Sequence, residues 1–425
     1  MRVEQVALPV LRWVNGKPRL APVLDRVLAP FNQFDPTMNV DPYPAYERLR
    51  AEGPIMFHKA LRLWLVTSYE LCEEVLRSPA GSVDRGTLFD VVSPWSKLSE
   101  SERTTFTRSM LLVDPPDHTR LRKLVSRAFT PRTVERIEPR IREIAEGLVA
   151  KAATEDRVDL FSAVFAPLPI YVIGELLGIP EADWDRLKGW SDQLAKVIDP
   201  VDAFVPAEMG RAIAELDEAL DGWIAVRRRE PGDDLLSKLL EAESEDGGGR
   251  LDRAELRSMV AILMTAGHET TSGLLGNAVV ALERRPDLRE RLAGDPDVAA
   301  PAVEELLRFD SPVQNTDRTL LEPLVLGGHT VPAGDMVTLL VGAANRDPQR
   351  FEHPGELDFD RPDNRPLSFG HGIHHCIGAA LARQEARTVL PLLYRDLPHH
   401  RVDTANVQWK RSMTLRGPVH LPVQR

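Results

Sequence analysis

The chain has 425 residues, 43% of them hydrophobic and 28% charged, a formal net charge of −11 and only two cysteines, Cys72 and Cys376. This size suits one large core or two to three average domains, and the acidic balance excludes nucleic acid as the main partner, since phosphate binding needs a basic footprint. Two thiols make no disulfide framework and suit a reducing cytoplasm, and no stretch reaches the roughly 20 apolar residues that cross a bilayer.

Residues 1–40 carry scattered prolines and no secretory-leader pattern, and read as an extension ahead of a single domain, 41–425. "YPAYERLRAEG", from Tyr43, reads as a short helix stopped by Gly53-Pro54. "LRLWLVTSY" (Leu61 to Tyr69) alternates as strands do, and "ELCEEVLRS" returns to helical spacing. Pro79 to Lys97 mixes Gly, Ser, Pro and aromatics, the composition of a long functional loop. From His118 to Pro286 the pattern is helical, broken at Pro131, Pro167, Pro180 and Pro231. "EDGGGR" (Glu245 to Arg250) reads as a hinge, after which Asp252 and Glu255 form a capping-box signature. The helix it opens should run to Arg285-Pro286, about 33 residues or roughly 50 Å at 1.5 Å per residue. Beyond Pro312 the chain turns β-rich, with Gly327-Gly328 and Pro332-Ala333-Gly334 as turns. A last helix, Ile377 to Arg395, and short strands finish it. The expected fold is mainly α with a smaller β-rich portion.

"FGHGIHHCIG", Phe369 to Gly378, concentrates the chemistry. A zinc site from His371, His374, His375 and Cys376 would need four ligands from six consecutive residues, which rarely reach tetrahedral geometry. A cysteine nucleophile and a packed cysteine at a helix start are further readings. A fourth is an axial thiolate to haem iron. Cys376 lies just ahead of an apolar helix, whose N–H groups favour a thiolate. Gly370, Gly372 and Gly378 allow positive φ and close approach to a flat macrocycle.

The stretch matches Phe-Gly-x-Gly-x-His-x-Cys-x-Gly, the haem-binding loop of the cytochrome P-450 superfamily, at Phe369, Gly370, Gly372, His374, Cys376 and Gly378. The chain therefore resembles the soluble bacterial haem-thiolate monooxygenases. The resemblance implies that fold, with haem b between the long helix and the Cys376 loop. The long helix holds "LMTAGHETTSGLL", where Gly267 costs roughly 1 kcal/mol against Ala and so asks for a reason, read as room beside the iron. By resemblance Thr270 is the hydroxyl beside bound oxygen and Glu269 its acidic neighbour in a proton relay; His268 receives no role. Glu305 and Arg308 in "EELLRFDSP" stand at i, i+3. They resemble the family's Glu-x-x-Arg element, a buried pair closed by Arg361, although Leu357 and Phe359 depart from the usual loop. The resemblance also gives the haem propionates to His118 and Arg122 of "DPPDHTRLRKL", Arg318 of "TDRTL", and His374.

The implied reaction inserts one atom of O2 into a lipophilic small molecule, by hydroxylation or epoxidation. Nothing in the chain resembles a flavin or nicotinamide domain, so electrons must come from outside, by resemblance from a ferredoxin and ferredoxin reductase. Residues 118–142 hold eight Lys or Arg against Glu135 and Glu138. This run reads either as a dock for an acidic ferredoxin or as a solvated helix face. Candidate pocket residues are Leu88, Phe89, Trp95, Leu263, Ala266, Val313, Gln314 and Met413. A peroxide-driven peroxygenase, a haem-binding sensor and a zinc hydrolase are the competing functions.

Overall fold

A computed structural model of the chain describes residues 28–29, 31–32, 35, 37–84, 99–198, 206–241, 251–412 and 414–425. The N-terminal helix α1 (Tyr43–Glu52) ends where expected, at Gly53 with φ 146°. Strands β1 (Ile55–His58) and β2 (Leu63–Val66) follow, then α2 (Tyr69–Arg77) and β3 (Gly81–Ser82). The helical portion comprises α3 (Glu100–Thr107), α4 (Asp117–Ala128), α5 (Pro131–Ala153), α6 (Pro167–Leu177), α7 (Trp184–Ile198), α8 (Pro206–Arg229) and α9 (Leu235–Glu241). A short strand, β4 (Arg157–Asp159), interrupts it. Pro131 and Pro167 each open a helix, where a missing N–H costs nothing.

The long helix, α10 (Arg253–Leu282), begins with the expected capping box: Asp252 Oδ1 accepts from the Glu255 N–H at 2.8 Å, and Glu255 accepts from the Asp252 N–H at 3.0 Å. It has 30 residues and stops short of Pro286, because the ring of Pro286 pushes Arg285 out of helical geometry to φ −130° and ψ 69°. It is apolar on nearly every side and runs through the core, packed by α3, α6, α7 and later helices. Those are α11 (Pro286–Gly294), α12 (Ala299–Phe309) and α13 (Ala379–Asp396). Among the described residues no helix is long and apolar enough to cross a membrane.

The β portion adds β5 (Thr316–Leu320), β6 (Leu324–Leu326), β7 (His329–Val331) and β8 (Met336–Leu339). One sheet has the order β1-β2-β8-β5-β3, with β2 and β8 parallel and the other pairs antiparallel. It packs on α2 around Val66, Cys72, Val75 and Val337, a second core beside the helical one. Cys72 is fully buried, and burial pushes its thiol well above the usual range, so it is chemically quiet.

The chain closes with β9 (Arg401–Val402), β10 (Gln408–Trp409), β11 (Pro418–His420) and β12 (Pro422–Gln424). β10 and β11 form a hairpin seated on α10 through glycines. A Cβ on Gly273 would come 2.7 Å from the Arg416 carbonyl, and one on Gly417 would come 2.6 Å from Gly273 Cα.

Glu305, Arg308 and Arg361 meet as the resemblance implied. Glu305 and Arg308 have no exposed side-chain surface, and Arg308 donates Nε and Nη2 to Glu305 at 2.7 and 2.8 Å. Arg361 Nε reaches both Glu305 oxygens at 3.1 Å. Leu357 and Phe359, the two departures in that loop, are buried in the main core, so the changed residues pack well.

Candidate functional site

The Cys376 loop lies between α2 and α13. The Cys376 N–H donates to the Phe369 carbonyl at 2.9 Å, folding the loop back on itself. Gly370 and Gly372 adopt φ of 67° and 69°, as their positions required. Gly372 also abuts the carbonyl of Leu76 at the end of α2. Gly378 differs from expectation: its φ is −83°, and a Cβ there would sit 3.9 Å from Cys376 Sγ. A side chain there would make no more than van der Waals contact with the sulfur, and no left-handed turn requires the glycine. Arg383 stacks over the Phe369 ring at 4.4 Å and pairs with Glu304 at 2.6 Å, bracing the loop from α13.

Cys376 is a free, exposed cysteine, yet its thiol is crowded enough by protein for desolvation to act on it. Burial pushes its thiol above the usual range, opposed by the Gly378 N–H and the Arg122 and Arg383 guanidiniums. The helix start alone was expected to favour a thiolate. Without a metal, burial outweighs it.

Four basic side chains converge above the same loop. The rings of His118, from α4, and His374 lie 4.1 Å apart. Burial, His118, Arg318 and Arg122 drive the His374 pKa down to about 4, against Asp114. Burial, with Arg122 adding to it, also lowers that of His118. Desolvation pulls the Arg122 pKa down, with Cys376 opposing it. Arg318, buried on β5, donates to Thr316 Oγ1 at 3.1 Å and the Asp317 carbonyl at 2.8 Å. His118 Nδ1 and His374 Nε2 are buried without a hydrogen-bond partner. Such orphaned groups cost free energy unless an acceptor arrives.

On α10, Thr270 Oγ1 donates to the Ala266 carbonyl at 2.7 Å, and Glu269 forms an ion pair with Lys410. Gly267 also lets α6 come close: a Cβ there would meet Ile173 Cδ1 at 2.6 Å. His268, left without a role above, is buried, with Nδ1 3.0 Å from Ser191 Oγ on α7.

The cytochrome P450 family model matches residues 164–408. The chain is 42% identical over 399 residues to the vitamin D(3) 25-hydroxylase of Pseudonocardia autotrophica, covering 92% of this chain and 95% of that one. It is 41% identical over 421 residues to the cytochrome P450 monooxygenase PikC of Streptomyces venezuelae, covering 97% of each. The chain belongs to the cytochrome P450 family. Its fold agrees with the Bacillus subtilis bacillaene polyketide synthase cytochrome P450 PksS at a TM-score of 0.82 and 36% identity, over 93% of this chain and 99% of that one. It is thus an oxidoreductase, a haem b-dependent monooxygenase of lipophilic small molecules that draws electrons from a ferredoxin and its reductase.

The residues of this cytochrome P450 fit the haem group. The Cys376 thiol is free and exposed, two orphaned imidazole nitrogens await partners, and two arginines stand beside them. Of the pocket candidates, Leu263, Ala266 and Val313 occupy α10 and the segment after α12. Gln314 turns away: its amide accepts from the Tyr46 hydroxyl at 2.9 Å and donates to the Ser311 carbonyl at 2.8 Å. A buried amide takes the partners that satisfy it, here one on α1 and one three residues back in its own segment. Leu88, Phe89, Trp95 and Met413 lie outside the described residues.

The basic run over α4 and α5 is a partly solvated face, with Arg127, Arg132, Arg136 and Arg142 exposed, and much of its charge is matched by acidic partners. Arg120 pairs with Glu255, Arg136 with Asp233, Arg140 with Glu143, Glu175 and Glu181, and Arg142 with Glu138, while Arg122 turns to Cys376. Lys410 and Arg383 escaped sequence reasoning. Neither has a periodic or motif signal, since each matters only through a partner far along the chain.

Proposed function

We propose that Cys376 is the axial ligand to haem iron and that the cleft between its loop and α10 oxygenates a large, neutral, lipophilic molecule in the cytoplasm. The vitamin D(3) named in one relative and the polyketide synthase named with another are compounds and systems of that character. The single observation carrying this reading is the convergence of His118, Arg122, Arg318 and His374 beside Cys376. Bound haem b supplies the reductive activation of dioxygen, with two electrons and two protons consumed, one oxygen leaving as water and the other entering the substrate.

The chain's own residues do the rest. Cys376 gives up its proton when it ligates, helped by the Gly378 N–H and Arg122. His118 and His374, held neutral, hydrogen-bond carboxylates through their unpartnered nitrogens, while Arg122 and Arg318 supply charge. Leu263, Ala266 and Val313 form apolar wall and exclude water. Thr270, its proton committed to Ala266, keeps its lone pairs for a hydrogen bond from the cleft side. Glu269 brings protons in. The ferredoxin docks on the outer face of the ligand loop, where Ile373 is 55% exposed, follows the Gly372 that abuts the end of α2, and lies three residues from the sulfur.

The test is the spectrum of the reduced protein with carbon monoxide. Wild type should show the long-wavelength Soret band of thiolate ligation, and Cys376→Ala should lose it; a variant that keeps the band has its ligand elsewhere. Turnover with ferredoxin and reductase but not with hydrogen peroxide alone separates the monooxygenase from a peroxygenase.

A further inference from the structure

Both members of the oxygen-activating pair are engaged with protein partners. Thr270 donates to its own helix, and the Glu269 carboxylate is held by Lys410, which comes from the C-terminal hairpin. An exposed lysine pair is ordinarily weak, because a long side chain must be held in one geometry against water. Here the lysine springs from a fixed base. Its N–H donates to the Gly417 carbonyl at 2.9 Å, and Gly417 lies against Gly273 of α10. Next to it, Arg416 is tied to Asp310 at 2.7 Å and to the carbonyls of Asn39 and Val40. Side-chain exposure is 26% for Lys410 and 14% for Glu269, so water competes poorly for either.

The surroundings leave Lys410 as the cation on this carboxylate. From α7, Asp192 comes within 3.9 Å of His268 Nδ1 and pairs with Lys188 at 2.9 Å, and Ser191 hydrogen-bonds His268. Asp192, His268 and Glu269 bring ligand-type atoms within 4.8 Å of one another, a set that could take a metal ion. Lys188 and Lys410 already place an ammonium on each of its carboxylates, so the charge is balanced without one.

We propose that Lys410 is a positioning residue for the proton relay: its ammonium latches the Glu269 carboxylate to the C-terminal hairpin, and delivery of a proton toward Thr270 requires that latch to open. This rests on the reading of Glu269 as the relay acid. The latched state withholds protons from the cleft and the released state supplies them, so the hairpin sets the timing of proton entry.

Haem-loaded wild type, Lys410→Met, Lys410→Arg and Glu269→Gln test this, each first checked for its carbon monoxide band. Electron consumption is followed without substrate, under saturating ferredoxin and reductase, in H2O and D2O. Lys410→Met should consume electrons about fivefold faster, the factor matching the upper end of exposed-pair strengths, with a smaller solvent isotope effect. Lys410→Arg should behave as wild type. The second readout is the His268 ring titration by NMR in the diamagnetic reduced, carbon monoxide-bound enzyme. Burial first, and Lys188 and Lys410 after it, lower that pKa against Glu269 and Asp192. Lys410→Met should therefore raise it and Lys410→Arg should not. An unchanged isotope effect, or an unchanged His268 titration, in Lys410→Met overturns the latch. Wild-type electron consumption in Glu269→Gln would instead sink the reading of Glu269 as the acid.

Discussion

Replacing Glu305 by Gln keeps its volume and removes its charge. In the native protein its carboxylate accepts from Arg308 twice, from Arg361, from Asn364 Nδ2 at 2.9 Å and from the Asp358 N–H at 2.9 Å. An amide offers one acceptor oxygen and points an NH2 at guanidinium donors, leaving two buried cations without a counter-charge. Breaking one side of a buried pair costs about 3–5 kcal/mol. At roughly 2.1 cal/mol/K per residue, a chain of 425 residues has an unfolding entropy of about 0.9 kcal/mol/K, so the melting midpoint should fall by about 3–6 °C. The assay is thermal unfolding of the haem-loaded protein followed by its Soret band. The control is Asp360→Asn, which removes the fully exposed partner of Arg291 and should leave the midpoint in place. A Glu305→Gln midpoint as unmoved as the control would refute the view that this triad holds the ligand loop to α12.

The raised Cys376 thiol has a consequence for loading. In the haem-free protein it is protonated at neutral pH, and ligation requires the thiolate, so haem uptake should release one proton to a pH indicator. Apparent affinity should rise about tenfold per pH unit below the thiol pKa and level off above it. Arg318→Ala with His374→Ala should speed haem transfer to apomyoglobin about tenfold or more while the carbon monoxide band stays in place, since two propionate partners go and the ligand remains. Gly273→Ala should cost about 1–3 kcal/mol, because the new methyl meets the Arg416 carbonyl, a backbone atom with little freedom to retreat. Ile373→Glu should raise KM for ferredoxin several-fold and leave the carbon monoxide spectrum alone.

The features legible in the sequence are those that local chemistry decides. The capping box at Asp252, the stop ahead of Pro286 and the positive φ of Gly370 and Gly372 each follow from a few neighbouring residues. The Glu305 triad was legible only as a resemblance, since spacing alone suggests an ordinary i, i+3 pair. What the sequence leaves unread shares one cause, a partner brought from afar. Ile173 reaches Gly267 from another helix, Tyr46 claims Gln314, and Arg120, Arg136 and Arg140 meet Glu255, Asp233, Glu175 and Glu181. Periodicity says which face of a helix is apolar; it is silent on which charge from a distant segment will lie opposite.

The parallel pairing of β2 with β8 sets Leu63 opposite Met336 and Val66 opposite Leu339. Close to two-thirds of the polypeptide must be threaded between these partners before they touch. Contacts that distant form slowly, because loop closure must precede any gain from them. During synthesis β1 and β2 can pair with each other at once, but the other edge of β2 waits until β8 has been released. His374 and Cys376 follow β8 in the chain, so the pigment can be captured only after β8 has been made, and the yield of coloured enzyme should respond to growth temperature as well as to haem supply.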